Sequence, residues 1–257
     1  MKKNKKSIRG LIRLAVVLVV LILFVFGVWM LVKYFVDENK PEIYFIDTRN
    51  EQALNTHLED AWTVGWIRVQ GTNIDYPIIY ETVDAYNSGQ PYTWTYHVPD
   101  QDETRMVILG HNVQNVSYDP IITDPNHKDF EQLMSFAKYD FAKDNFYIQI
   151  SIPGEGEALY KIYAVSFRAY TDDTTDYYKK EDKEELKNYI EEARNKSIYD
   201  YDVDVNENDD LIALVTCTRY FGYDGETQFR VDARRVREGE KITSYDVATT
   251  ENYGIIE

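Results

Sequence analysis

The chain has 257 residues, is 44% hydrophobic and 14% aromatic, and carries a formal net charge of -16 at pH 7. That length accommodates one sizeable domain with an appendage, and the aromatic content, with 22 tyrosines, excludes a disordered chain. The acidity excludes a nucleic-acid binder, which needs clustered Lys and Arg to neutralise phosphates.

The charge is unevenly placed. Lys2, Lys3, Lys5, Lys6, Arg9 and Arg13 precede an uncharged run from Leu14 to Val32, LAVVLVVLILFVFGVWMLV, while the acidic residues lie beyond position 36. Nineteen helical residues at about 1.5 Å each nearly match the hydrocarbon thickness of a bilayer. The run is longer than the apolar part of a signal peptide and ends in bulky Trp29, Met30 and Leu31 rather than small residues, so it reads as an uncleaved signal anchor. Basic residues stay in the cytoplasm, which sends the remainder outside. The chain then divides into a cytoplasmic basic tail (1–13), a transmembrane anchor (14–35), a stalk with Pro41 (36–50), a folded domain (51–240) and a C-terminal tail (241–257).

The folded domain opens with EQALNTHLEDAWTV, where Ala53, Leu54, His57, Leu58 and Ala61 fall at helical spacing. Strand patterns follow at GWIRVQGTNIDYPIIY, with a turn at Gly71, and at RMVILGHN, NFYIQISI, LYKIYAVSFRAY, LIALVTCT and QFRVDARRV. Two helical patches interrupt them, HKDFEQLMSFAKYDFAKD and KKEDKEELKNYIEEARNK. Strands without regularly interposed helices predict a mostly β, closed barrel of about eight strands rather than a doubly wound sheet.

Neither CxxC nor HxxxH spacing occurs, so no metal site and no cofactor is expected. The acidic loop TDDTTDYY at 171–178 has no EF-hand spacing. The single cysteine, Cys217, ends an apolar strand pattern just before a polar, Gly-containing loop, and no internal disulfide is available to it. An unpaired thiol in an extracytoplasmic domain is a candidate reactive group. His111 occupies a matching place after RMVILG, with Gly110 permitting a tight turn.

Taken in order, WIRVQGTNIDYPII, VILGHN and LVTCT resemble the opening strands, the histidine motif and the TLxTC signature of sortases, especially class B; the charged helix before the cysteine strand is also class B-like. The resemblance covers about residues 51–237. It implies a sortase-like barrel in which Cys217 is nucleophile, His111 its acid/base partner and an arginine completes the site. In many class B members that arginine precedes a run like FVV, which aligns Gln228 with it and puts Arg230 two residues later, on the same face of the strand. Arg230 is taken as the site arginine, with Arg219 in reserve and Arg234 as a barrel-end charge. Thr216, Asn112 and Gln228 are expected to shape the substrate or oxyanion pocket. The implied partners are secreted proteins bearing a C-terminal sorting motif and an amine of a cell-wall precursor or pilin, at the cell membrane of a Gram-positive organism. Two other readings stay open: a papain-like cysteine hydrolase, which wants a helix under the cysteine, and a non-catalytic anchored β-barrel binding module.

Overall fold

The charge-free N-terminal run is helical, as its length and lack of breakers require. Helix α1 spans Lys3–Glu38 in the computed structural model, which describes residues 3–38, 63–80, 93–95, 105–112, 130–152, 156–169, 181–221 and 227–255. Within it, Val16–Lys33 is unburied and long and apolar enough to cross a membrane. The chain divides into two units, Met1–Ile43 and Tyr44–Glu257. The helix expected to open the second unit lies mostly outside the described residues, and its last two positions begin a strand.

That unit is a closed barrel of eight strands: β1 (Thr63–Val69), β2 (Asp75–Tyr80), β3 (Thr93–Thr95), β4 (Arg105–Gly110), β5 (Tyr147–Ile152), β6 (Gly156–Ala169), β8 (Leu211–Thr218) and β9 (Thr227–Arg235). Their order around the barrel is β1-β2-β3-β4-β8-β9-β6-β5, and β5 closes it on β1. Two pairings are parallel, β2 with β3 and β4 with β8; the others are antiparallel. Between β1 and β2, Gly71 has φ of 75°, a left-handed conformation that explains a glycine at this turn. The interior holds Ile67, Ile108, Ile212, Leu214, Phe229 and Val231, all but unexposed.

The opposite face of β9 is also buried, although it carries Gln228, Arg230, Asp232 and Arg234. Helix α3 (Lys183–Lys196) explains this, because it buries Leu186, Tyr189, Ile190 and Ala193 against the barrel. Its start is fixed by a capping box. The Asp182 side chain accepts from the Glu184 and Glu185 N–H groups, and the Glu185 side chain accepts from the Asp182 N–H.

Two expectations are corrected. The first helical patch is not one amphipathic helix but a 3₁₀ helix, Glu131–Ala137, followed by a single α turn, α2 (Tyr139–Ala142), with Lys138 extended between them. All seven residues of the 3₁₀ segment are buried, so its apolar positions are not confined to one stripe and tertiary packing decides its form. The segment after residue 240 is no loose tail. Strand β10 (Val247–Thr249) pairs with β7 (Tyr199–Tyr201), and the buried Tyr245 hydroxyl bridges the carbonyls of Phe146 (2.8 Å) and Ile162 (2.9 Å).

An ionic clasp closes the barrel where β9 ends. Glu240 accepts from both terminal nitrogens of Arg234 (2.6 and 2.7 Å), from Lys161 (2.7 Å) and from the Arg237 N–H (2.9 Å). Partial burial pushes its carboxyl up, but these donors outweigh it and hold the pKa at about 2 instead of 4.5. A depressed carboxyl stabilises the fold above its unfolded value and ceases to as pH falls through its folded value. Between about pH 4.5 and 2, therefore, Glu240 should account for part of the acid loss of stability. Glu240→Gln should flatten that part of a stability-versus-pH curve; an unchanged slope would show that the clasp contributes nothing.

Candidate active site

The parallel pairing of β4 with β8 sets the site. It runs in register from Arg105 opposite Leu211 to Gly110 opposite Thr216, so the next residue on each strand is His111 and Cys217. Two side chains that are 106 positions apart in sequence thus emerge from adjoining strand ends. Both are exposed, and Cys217 is in no disulfide. Beneath them Thr216 is buried and its hydroxyl donates to the Gly110 carbonyl at 2.8 Å, tying the two strands together one residue below the pair.

The histidine backbone is fixed from the other side. The Phe130 N–H donates to the His111 carbonyl at 3.0 Å, and the Phe130 ring lies so close to Gly110 that a side chain at 110 would collide with it. Glycine here is a matter of space. Asn112, next along, is 7% exposed, and neither its Oδ1 nor its Nδ2 has a hydrogen-bond partner among the described residues. Leaving a buried amide unsatisfied costs about 1–3 kcal/mol, so one next to His111 and close to Cys217 is notable. On the outward face an apolar floor of Val107, Leu109, Ala213 and Val215 leads up to the pair.

The antiparallel pairing of β8 with β9 places Gln228 directly across from Cys217, Arg230 across from Val215 and Asp232 across from Ala213. Arg230 is fully buried. Its Nε donates to Asp232 Oδ1 at 3.1 Å, its Nη2 donates to the Tyr189 hydroxyl, and its guanidinium carbon lies 5.1 Å from the centre of the Tyr189 ring. The Tyr189 hydroxyl in turn donates to Asp232 Oδ1. Burial pushes this phenol up to about 12, which keeps the proton on the oxygen. Tyr189 also stacks on Arg105, 4.0 Å from its ring centre, and Arg105 makes two 3.0 Å bonds to Glu181. The Arg230 guanidinium stays firmly charged: burial disfavours the charge, but the facing Tyr189 and Asp232 outweigh that and raise its pKa.

The other two arginines lie apart. Arg219 is exposed beyond the end of β8. Arg234 sits across from Leu211 at the far end of the strand pair, in the clasp with Glu240. Sequence reasoning placed Tyr189 on the apolar side of its helix without a role at the site, and missed Asp232, Arg105 and Glu181. The alternation of charge in QFRVDARRV has the form of a solvent-facing side, and only the placement of α3 shows that it is covered. Among the described residues, no group of three or more His, Cys, Asp or Glu side chains could hold a metal. The acidic loop at 171–178 lies outside those residues.

No protein-family model matches the chain. Two proteins named sortase B are similar to most of it. One, from Staphylococcus aureus (strain NCTC 8325 / PS 47), is 22% identical over 217 residues, 78% of this chain and 87% of that protein. The other, from Listeria monocytogenes serovar 1/2a (strain ATCC BAA-679 / EGD-e), is 24% identical over 205 residues, 77% of this chain and 74% of that protein. In structure, Clostridium perfringens sortase B superposes with a TM-score of 0.55 at 22% identity, covering 73% of this chain and all of that one. A Staphylococcus aureus sortase B–substrate complex has a TM-score of 0.57 at 16% identity over 74% of this chain and 92% of that one. A sortase B complexed with triglycine has a TM-score of 0.57 at 16% identity over 74% and 87%. With a barrel that superposes on those of sortase B structures and with sequence likeness to two sortase B proteins along most of its length, the chain has a sortase-like fold and is similar to class B sortases.

Proposed function

We propose that the chain is a membrane-anchored enzyme that cleaves a short sorting motif at a threonine carbonyl and transfers the acyl group to an amine of a cell-wall precursor or pilin. The observation that carries this reading is the β4–β8 register, which brings His111 and Cys217 to adjoining strand ends. Cys217, as thiolate, attacks the carbonyl and forms an acyl-enzyme. His111 gives its proton to the leaving amine and accepts one from the incoming amine. Arg230 supplies a fixed positive charge on the same face of the sheet as Cys217, two residues along. Thr216 holds the two strands in register. The buried amide of Asn112, with no partner among the described residues, offers both N–H donors and a carbonyl acceptor, which together can complement a peptide group in a bound substrate.

The unburied apolar stretch Val16–Lys33 supports the anchor. Its basic N-terminal flank favours the N-terminus in the cytoplasm and the barrel outside. Cys217 lies in strand β8 rather than on a helix, which speaks against a papain-like hydrolase. The substrate and triglycine complexes of other sortase B proteins make triglycine a sensible acceptor to try.

The test is transpeptidation. The full chain in detergent micelles is incubated with a library of sorting-motif peptides and triglycine, and products are read by mass spectrometry. A peptide joined to triglycine after a threonine, formed only when Cys217 is present, is the expected result. Cleavage to free acid alone at saturating triglycine would make the chain a hydrolase, and no product from any peptide would remove the sorting-motif reading.

A further inference from the structure

The residue directly across from the nucleophile is a neutral amide. Gln228 pairs with Cys217 in the antiparallel β8–β9 register, so their side chains leave the sheet on one face, and Cβ atoms in such pairs stand about 4.5–5.5 Å apart. Cys217 is exposed, whereas Gln228 is 1% exposed, a side chain held in the wall beside the thiol. Arg230 is two residues further from the strand end, and its partners draw it further still. Asp232 lies across from Ala213, four residues from Cys217, and Arg230 reaches that carboxylate through Nε and the Tyr189 hydroxyl through Nη2. Turning the guanidinium toward Cys217 would break its 3.1 Å bond to a carboxylate that has no exposed surface, leaving it the Tyr189 hydroxyl and the more distant Arg168 Nη2 at 3.9 Å. Arg168 lies across from Gln228 on β6, but its guanidinium is directed to Ser166 Oγ (3.1 Å), Glu192 (3.4 Å) and Asp232 Oδ2 (3.9 Å).

Resting on the reading of Cys217 as the acylated nucleophile, we propose that the Gln228 side-chain amide donates the hydrogen bond that stabilises the oxyanion. Arg230 is then a positioning residue, clamping β9 to α3 so that Gln228 stays in place. When sulfur bonds to the carbonyl carbon, the carbonyl π pair moves onto oxygen, and Gln228 Nε2–H donates to that oxygen. When the pair returns, the carbon–nitrogen bond breaks and the amine leaves with the proton from His111. A neutral donor in a buried, fixed position does this without reorganisation, the property that makes such donors effective.

The experiment compares two probes of Cys217 in the full chain in detergent micelles. Acetylation by p-nitrophenyl acetate passes through a tetrahedral oxyanion; alkylation by iodoacetamide, a displacement at saturated carbon, does not. Gln228→Ala is expected to slow acetylation about 10²-fold, the usual loss on removing one oxyanion donor, while alkylation keeps its rate. Gln228→Glu, close in shape but without the donor, should lose as much. Equal loss of both rates would mean a structural role and overturn the proposal. So would full acetylation in Gln228→Ala, above all if Arg230→Lys with unchanged Tm lost it instead. An unaltered chain that acetylates no faster than free cysteine would remove the nucleophile reading, and this proposal with it, whatever the Gln228 variants do.

Discussion

Transfer of a sorting peptide to triglycine is expected to fall below detection in Cys217→Ala, and by about 10²–10⁴-fold in His111→Ala, the range for loss of a positioned acid/base group. The two losses should not add in the double variant, because without the thiol there is no acyl-enzyme for the histidine to serve. Both side chains are exposed at strand ends, so neither substitution opens a cavity, and the melting temperature should hardly move. Activity lost together with the fold would show that the pair is structural. Activity retained in Cys217→Ala would end the cysteine-nucleophile reading outright, since among the 257 residues there is no other cysteine.

The largest effect on stability is expected beneath the site. Asp232 has no exposed surface and neutralises Arg230, itself fully buried. Asp232→Ala would leave that guanidinium uncompensated, and breaking a buried pair from one side costs about 3–5 kcal/mol. For a domain of this size that is a fall on the order of 10 °C in Tm. Tyr189→Phe removes only the hydroxyl between the two and should cost less, about 1–3 kcal/mol. Thermal unfolding followed by circular dichroism gives both values. If Asp232→Ala cost no more than Tyr189→Phe, the carboxylate would not be what holds the guanidinium in place.

How much of this was legible beforehand depended on whether a residue's role is local. The strands RMVILG and LIALVTCT could be read because alternation and apolar runs are local signals, and the positions of His111 and Cys217 at their ends followed directly. That β4 and β8 lie side by side and parallel could not be read from periodicity, because pairing is a property of the whole barrel; only the family resemblance implied that those ends meet. The short strands β3, β7 and β10 have three residues each, too few for alternation to be recognised. Tyr245 and its two carbonyl partners lie at sequence separations of 99 and 83, so nothing near it distinguished an anchored segment from a tail. The partners of the β9 charges were out of reach for a related reason. A polar stripe on a strand is ordinarily wet, and α3, whose own amphipathic pattern was read correctly, gave no sign of where it would lie.

The same parallel pairing bears on when the chain becomes reactive. The Thr216 hydroxyl and the Gly110 carbonyl that join beneath the site are 106 residues apart, and a parallel pair cannot form as a hairpin. Contacts of such separation carry a large loop-closure entropy and slow the folding of domains that depend on them. Cys217 therefore comes beside His111 only once the barrel has closed, and under the proposed mechanism the chain carries an ordinary thiol until then. On that mechanism, assembly of the fold is itself the arming step.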